Sequence, residues 1–195
     1  MKPIRSDSGH ERIAPRRRRD AIRPVIAITF LVIATALSAQ TSLAPYLPTP
    51  TDVVDRMLKL ASIGPRDVVY DLGSGDGRIV IAAAKTFGAR GVGIDIDPDL
   101  VRQATANAAA AGVADRVSFR VEDAMTTDVS EATVVTLYLL AASNVKLRPR
   151  LQAQLRPGSR IVAHNFGMGD WEPQKVETFQ DAAGATRTLF LWTIR

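Results

Sequence analysis

Three carboxylates, Asp71, Asp95 and Asp123, each close a short apolar run, and the first leads into the turn Gly73-Ser74-Gly75-Asp76-Gly77. Glycines at alternate positions leave no β-carbon where a backbone bends sharply or comes close to a ligand. In open α/β sheets, ligands bind at the ends of strands. The acid of Asp71 argues against a phosphate at this turn. A dinucleotide fingerprint requires G-x-G-x-x-G, and Arg78 stands where its third glycine belongs. The chemistry that suits the turn is recognition of a nucleoside carrying a positive charge. Asp95 follows Asp71 by 24 residues, a spacing at which an acid accepts hydrogen bonds from ribose hydroxyls. A charged acceptor strengthens each such bond. Its neighbour Asp97 has a plainer reading as the cap of a helix that opens at Pro98. Asp123, in Glu122-Asp123-Ala124, can accept from the exocyclic amine of adenine or can be a solvated loop acid. Three acids at the ends of three successive strands are harder to assign to chance than any one of them.

The elements that must position these residues are regular. Pro45 to Pro50 reads as an extended, proline-stiffened linker. Thr51 or Asp52 can cap a helix whose apolar face is Val53, Val54, Met57, Leu58 and Ala61. Strands are expected at Val68–Asp71, Gly91–Asp95, Val117–Val121, Val134–Tyr138 and Arg160–Asn165. Helices are expected through Ile79 to Phe87, from Pro98 to Ala111, and from about Asn144 to Leu155. Two more strands, Lys175–Phe179 and Thr188–Ile194, follow with no helix between them. Alternating strands and helices imply an α/β fold with a doubly wound, parallel sheet, and the last pair implies an antiparallel edge.

Charge divides the chain. It carries 25 Lys and Arg against 20 Asp and Glu. Residues 1–24 hold eight basic and three acidic side chains, so the rest is balanced at 17 of each. A balanced domain lacks the electrostatic footprint for phosphate backbones, so nucleic acid is not expected as a partner. No metal is expected. With no cysteine in the chain, a cysteine nucleophile is excluded. Residues 1–24 read as a basic, disordered tail, and residues 25–44 as an apolar segment whose first 13 residues hold no charge. That is the pattern of a secretory signal, or, if its helix runs on to Ala44, of an anchor long enough to span a bilayer. The positive-inside rule places the domain of residues 45–195 across the membrane from the basic tail.

Asp71-Leu-Gly-Ser-Gly-Asp-Gly77, with Gly93-Ile-Asp95 and Glu122-Asp123-Ala124, resembles the class I S-adenosylmethionine-dependent methyltransferases over about residues 48–195. Tyr46-Leu-Pro-Thr-Pro50, the run Val69 to Val80 and Thr136-Leu-Tyr-Leu-Leu140 are similar to a subgroup that includes membrane-anchored protein-lysine methyltransferases and their prokaryotic relatives. The resemblance implies a Rossmann-like, seven-stranded, mostly parallel sheet with an antiparallel last strand. It implies S-adenosylmethionine as cofactor, with Asp71, Gly73, Ser74, Gly75 and Gly77 at its methionine end. Asp95 would hold the ribose, and Asp123 and Ala124 would face the adenine. Two departures stand out: Tyr138-Leu139-Leu140-Ala141 replaces the Asn/Asp-Pro-Pro-Tyr segment of many amide and base methyltransferases, and Ala141 stands where the subgroup usually has proline.

Methyl transfer from an activated sulfonium needs alignment more than acid–base help, and a lysine amine must arrive neutral. Tyr138 can line the transfer cleft or be a strand-end core residue. His164, with Asn165, Asp170 and Trp171, is expected on the rim where substrate enters, either positioning it or serving as a bonded structural histidine. With about 150 residues for the whole domain and no inserted lid, an open cleft fits a side chain on a protein. A lipophilic small molecule and a nucleoside-binding protein without catalysis are the alternatives.

Overall fold

The computed structural model describes residues 47–195. The tail, the apolar segment 25–44 and Pro45-Tyr46 of the linker lie outside the described residues. Among the described residues, no helix is long and apolar enough to cross a membrane.

The elements run α1 Thr51–Leu60, β1 Val68–Leu72, α2 Arg78–Phe87, β2 Arg90–Asp95, α3 Pro98–Ala110, β3 Val117–Val121, β4 Val134–Leu137, α4 Ala141–Gln154, β5 Arg160–His164, β6 Lys175–Gln180 and β7 Thr186–Thr193. They form one seven-stranded sheet of order β3-β2-β1-β4-β5-β7-β6. β1 to β5 pair in parallel, and β7 runs antiparallel to both β5 and β6. The order reverses beside β1, between β2 and β4, which is the crevice where doubly wound sheets take ligands.

Alternation along β1 builds both faces. Val69 joins α1 and α2 in one core, with Val53, Met57, Leu58, Ile79 and Ala83. Tyr70 and Leu72 join α4 in the other, with Leu147, Leu151, Met168 and Trp192. At about 25 cal/mol per Å² of apolar surface, these two layers are the main force closing the sheet between its helices.

The last pair forms the antiparallel edge as expected, with β7 inside, where it buries Leu189 and Trp192, and β6 outermost with its exposed residues. Three expectations need correction. α4 starts at Ala141, because Leu140 is extended (φ −61°, ψ 151°) and the chain turns straight from β4 into the helix. β4 and β5 each stop one residue early, at Leu137 and His164, and Asn165 adopts a left-handed φ of 62°. Pro50, not Thr51 or Asp52, holds the N-cap of α1. The Asp52 carboxylate instead accepts the Ala182 amide at 2.6 Å and ties α1 to the β6–β7 turn.

Candidate active site

The glycine turn is built by committing its amides to the protein itself. Gly73 and Ser74 N–H both donate to the Ile94 carbonyl, at 2.8 and 2.9 Å. Gly75 N–H donates to Asp95 Oδ2 at 2.8 Å, and Gly77 N–H to the Ser74 carbonyl at 2.9 Å. A phosphate cradle needs such donors turned outward; here four are turned inward. Glycine is required at 73, 75 and 77, where φ is 86°, 53° and 81°. Gly77 has a second constraint: a β-carbon there would lie 2.6 Å from the Phe119 ring and 2.9 Å from Ala104. Its role is close packing, and it does not line the cleft, whereas Asp71, Gly73, Ser74, Gly75, Asp95, Asp123 and Ala124 all do.

The cleft has a volume of about 290 Å³. At its floor the Asp71 carboxylate, 2% exposed, accepts the Thr136 hydroxyl at 2.7 Å. Burial pushes its pKa up to about 7; the Thr136 bond opposes this, and Asp95 and Asp76 add to it. A buried carboxylate of this kind gains from a cationic ligand, which offsets the cost of its ionisation. The Ser74 hydroxyl is buried with no partner in the protein. Asp95 fixes the turn through Gly75 and accepts Asp97 N–H at 3.0 Å through its other oxygen. Each carboxylate oxygen still has a second lone pair for a ribose hydroxyl. Asp97 caps α3 through Asp99 N–H at 2.8 Å, as its plainer reading holds. Asp123 accepts Met125 N–H at 2.8 Å, which presents its loop at the cleft.

Sequence reasoning missed three contributors. Leu47, Pro48 and Thr49 are not a plain linker: they form a strap along the cleft. Arg78 holds the strap by donating to the Thr49 carbonyl at 2.9 Å while paired with Asp76 at 2.6 Å. Asn107 of α3 ties the turn from its other side, donating to the Asp76 carbonyl at 2.9 Å. The signal for the strap was the proline run immediately before α1.

Tyr138 lines the cleft. His164 does not sit on the rim: it is fully buried behind Tyr138, with ring centroids 4.0 Å apart and planes tilted by 31°. The strand ends at His164 with its side chain turned into the layer between sheet and helices. Neither ring nitrogen has a partner in the protein. Burial, aided by the Arg187 charge and opposed by Asp181, lowers its pKa to about 4. At neutral pH the imidazole is therefore uncharged and a poor base. Asp170 is exposed and paired with Arg148, and Trp171 packs on Trp192, whose indole N–H donates to the Trp171 carbonyl at 2.8 Å. Both belong to the scaffold over the sheet's last strands. Among the described residues, no cluster of His, Cys, Asp and Glu could hold a metal ion.

The family model of the ANTKMT methyltransferase domain matches residues 71–175, more than half of the chain. The chain belongs to this methyltransferase family. A protein-lysine N-methyltransferase of Saccharolobus islandicus is 44% identical over 151 residues, covering 77% of this methyltransferase and 93% of that protein. The adenine nucleotide translocase lysine N-methyltransferase of Mus musculus is 33% identical over 132 residues, 68% of this chain and 57% of its relative. A crystal structure of an RNA methyltransferase from Salinibacter ruber, in complex with S-adenosyl-L-homocysteine, is 59% identical. It covers 76% of this chain and 94% of that one, with a TM-score of 0.71. The methyltransferase therefore uses S-adenosylmethionine. The geometry fits it: a buried acid for a cation, a paired acceptor for ribose, and a turn that offers no phosphate nest.

Proposed function

We propose that this methyltransferase acts on the ε-amine of lysine in a protein substrate. The observation that carries the reading is the charge of the cleft. Asp71, Asp76, Asp95, Asp97 and Asp123 line it, against Arg78 alone of the basic residues. A cleft of one sign between low-dielectric walls focuses its field, here attracting cations such as lysine and repelling the backbone of RNA. The named activities of the Saccharolobus and Mus relatives support the same reading. The name of the Salinibacter protein points instead to RNA, and the test below separates the two.

S-Adenosylmethionine supplies a methyl on a sulfonium, so attack by an amine forms the N–C bond as the C–S bond breaks and leaves its electron pair on sulfur. The protein's part is placement. Asp95 and Asp123 would orient the nucleoside, the Asp71 carboxylate would face the positive end, and Tyr138 lines the cleft where an amine must approach. No side chain has to remove a proton from the neutral amine during transfer, and the uncharged His164 adds no cation behind Tyr138.

The test is incubation of the full chain with methyl-labelled S-adenosylmethionine and a lysate, followed by separate protease and ribonuclease digestion. Label lost to protease and recovered as methyl-lysine is expected; label lost to ribonuclease would overturn the lysine reading. Residues 25–44, behind the basic run, we read as bringing the domain to a membrane, either as anchor or as cleaved signal. Carbonate extraction with N-terminal sequencing distinguishes them: a retained N-terminus in the membrane pellet marks an anchor, and a new one near residue 39 a signal.

A further inference from the structure

S-Adenosylmethionine brings a sulfonium, an ammonium and a carboxylate into the cleft. The two cations suit a site lined by Asp71, Asp76, Asp95, Asp97 and Asp123. The carboxylate does not, because like charges gathered in a partly buried site repel one another. A ligand that carries an anion into this company needs a cation to meet it. Among the described residues that line the cleft, Arg78 is the one basic side chain.

Arg78 also stands at the right end of the cleft. It opens α2 immediately after Gly77, on the turn that begins at the Asp71 carboxylate. Its guanidinium is held from two sides. Nε donates to Asp76 Oδ1 at 2.9 Å and Nη2 to Asp76 Oδ2 at 2.6 Å, a fork on one carboxylate. Nη1 donates to the Thr49 carbonyl at 2.9 Å. Asp76 is pinned in turn through its own carbonyl by Asn107. Thr49 is 3% exposed and lines the same cleft. Tying the strap accounts for one of these bonds, and a backbone carbonyl needs no full charge for that. What arginine adds is a planar cation fixed before any ligand arrives. Its five N–H donors are enough to hold Asp76 and the strap and to meet a carboxylate as well.

We propose that Arg78 receives the carboxylate of the cofactor's amino-acid end, and that the strap Leu47 to Thr49, tied to the same guanidinium, is thereby part of the cofactor site. The two ends of the turn then divide by charge, with Asp71 toward the cations and Arg78 toward the anion. Nothing in this depends on the acceptor being lysine. A ligand that lacks only the carboxylate loses its hold on the guanidinium and, through it, on the strap.

The test is calorimetry on the full chain with S-adenosylhomocysteine and with its decarboxylated form, S-adenosyl-3-thiopropylamine, which keeps the ammonium. The wild type is expected to bind the first roughly ten- to a hundredfold more tightly, the scale of charge-assisted hydrogen bonds. Equal affinities in the wild type would overturn the proposal without any variant. Arg78→Met should weaken S-adenosylhomocysteine until the two ligands lie within about twofold of each other, with the decarboxylated form itself little changed. An equal loss for both ligands would reduce Arg78 to a latch on the strap and overturn the proposal, as would an undiminished preference. Arg78→Gln keeps a donor for the Thr49 carbonyl and removes the charge, and it covers the case in which the methionine variant does not fold. It should lose most of the preference, and a wild-type preference in that variant would overturn the proposal too. Hydrogen exchange at the Leu47 and Thr49 amides tests the strap. At matched saturation S-adenosylhomocysteine should slow it more than the decarboxylated form, and equal protection by the two would remove the strap from the site.

Discussion

The two halves of the sheet's active edge are built in different ways. On the β1–β2–β3 side the cleft is lined by a glycine turn and by carboxylates, and the turn's bonds stay within neighbouring strand ends: Gly73 and Ser74 to Ile94, Gly75 to Asp95. On the β4–β5–β7 side the cleft meets side chains, with Tyr138 lining it and His164 buried behind Tyr138, beside a strand that reaches β5 only after β6 has been laid down. The first half depends on glycine geometry and resists substitution. The second depends on rotamers and hydroxyl directions, which can be retuned one residue at a time.

Predictions that break this division fall in order of size. Asp95→Ala removes both the turn's anchor and a charged acceptor, and should weaken cofactor binding by roughly a hundredfold or more, given about 1.5–3 kcal/mol per charged hydrogen bond. Calorimetry measures this, and retained binding would show that the rigid half does not depend on Asp95. Gly77→Ala should cost about 2–4 kcal/mol of folding stability, from the left-handed φ and from overpacking against Phe119. Chemical denaturation reads the cost, and a loss under about 1 kcal/mol would mean that Phe119 gives way easily.

The buried titratable groups of the two halves give opposite pH slopes. Asp71 has a folded pKa of about 7, above its usual 3.8. It therefore contributes most to stability below pH 3.8, and that contribution is lost as pH rises toward 7. His164 has a folded pKa of about 4, below its usual 6.5. Its contribution is complete above pH 6.5 and is lost as pH falls toward 4. In the cofactor-free protein, Asp71→Asn should leave a stability that climbs with pH between about 4 and 6.5, and His164→Leu one that declines over the same range. Melting curves at several pH values test both, and parallel slopes in the two variants would refute the assignment. Cofactor affinity should rise with pH through about 7 in the wild type and lie flat in Asp71→Asn. The smallest effect is Asp97→Ala, which removes the α3 cap and should cost about 1 kcal/mol in denaturation with cofactor affinity little changed.

Legibility in the sequence followed the same line. The glycine turn, Asp95 and Asp123 could be read because each follows or closes a strand and two successive βαβ units fix their spacing. All seven strands could be read from alternation and apolar runs. What could not be read was assembled across the sheet. The insertion of β7 between β5 and β6 depends on which strand offers two apolar faces. The burial of His164 depends on Tyr138 covering it. The tie of Asp52 to the Ala182 amide joins the first helix to a hairpin turn 130 residues later. Gly77 was recognised as necessary but for a ligand, when its neighbour is the Phe119 ring. No local pattern carries a contact of that kind.

The position of β7 also bears on how the protein comes into being. Both β5 and β6 precede it in the chain, yet neither has its full set of partners until it arrives. A chain that stops before Thr186 leaves β5 with an open edge and β6 with no neighbour, and uncovers the strand end that carries His164.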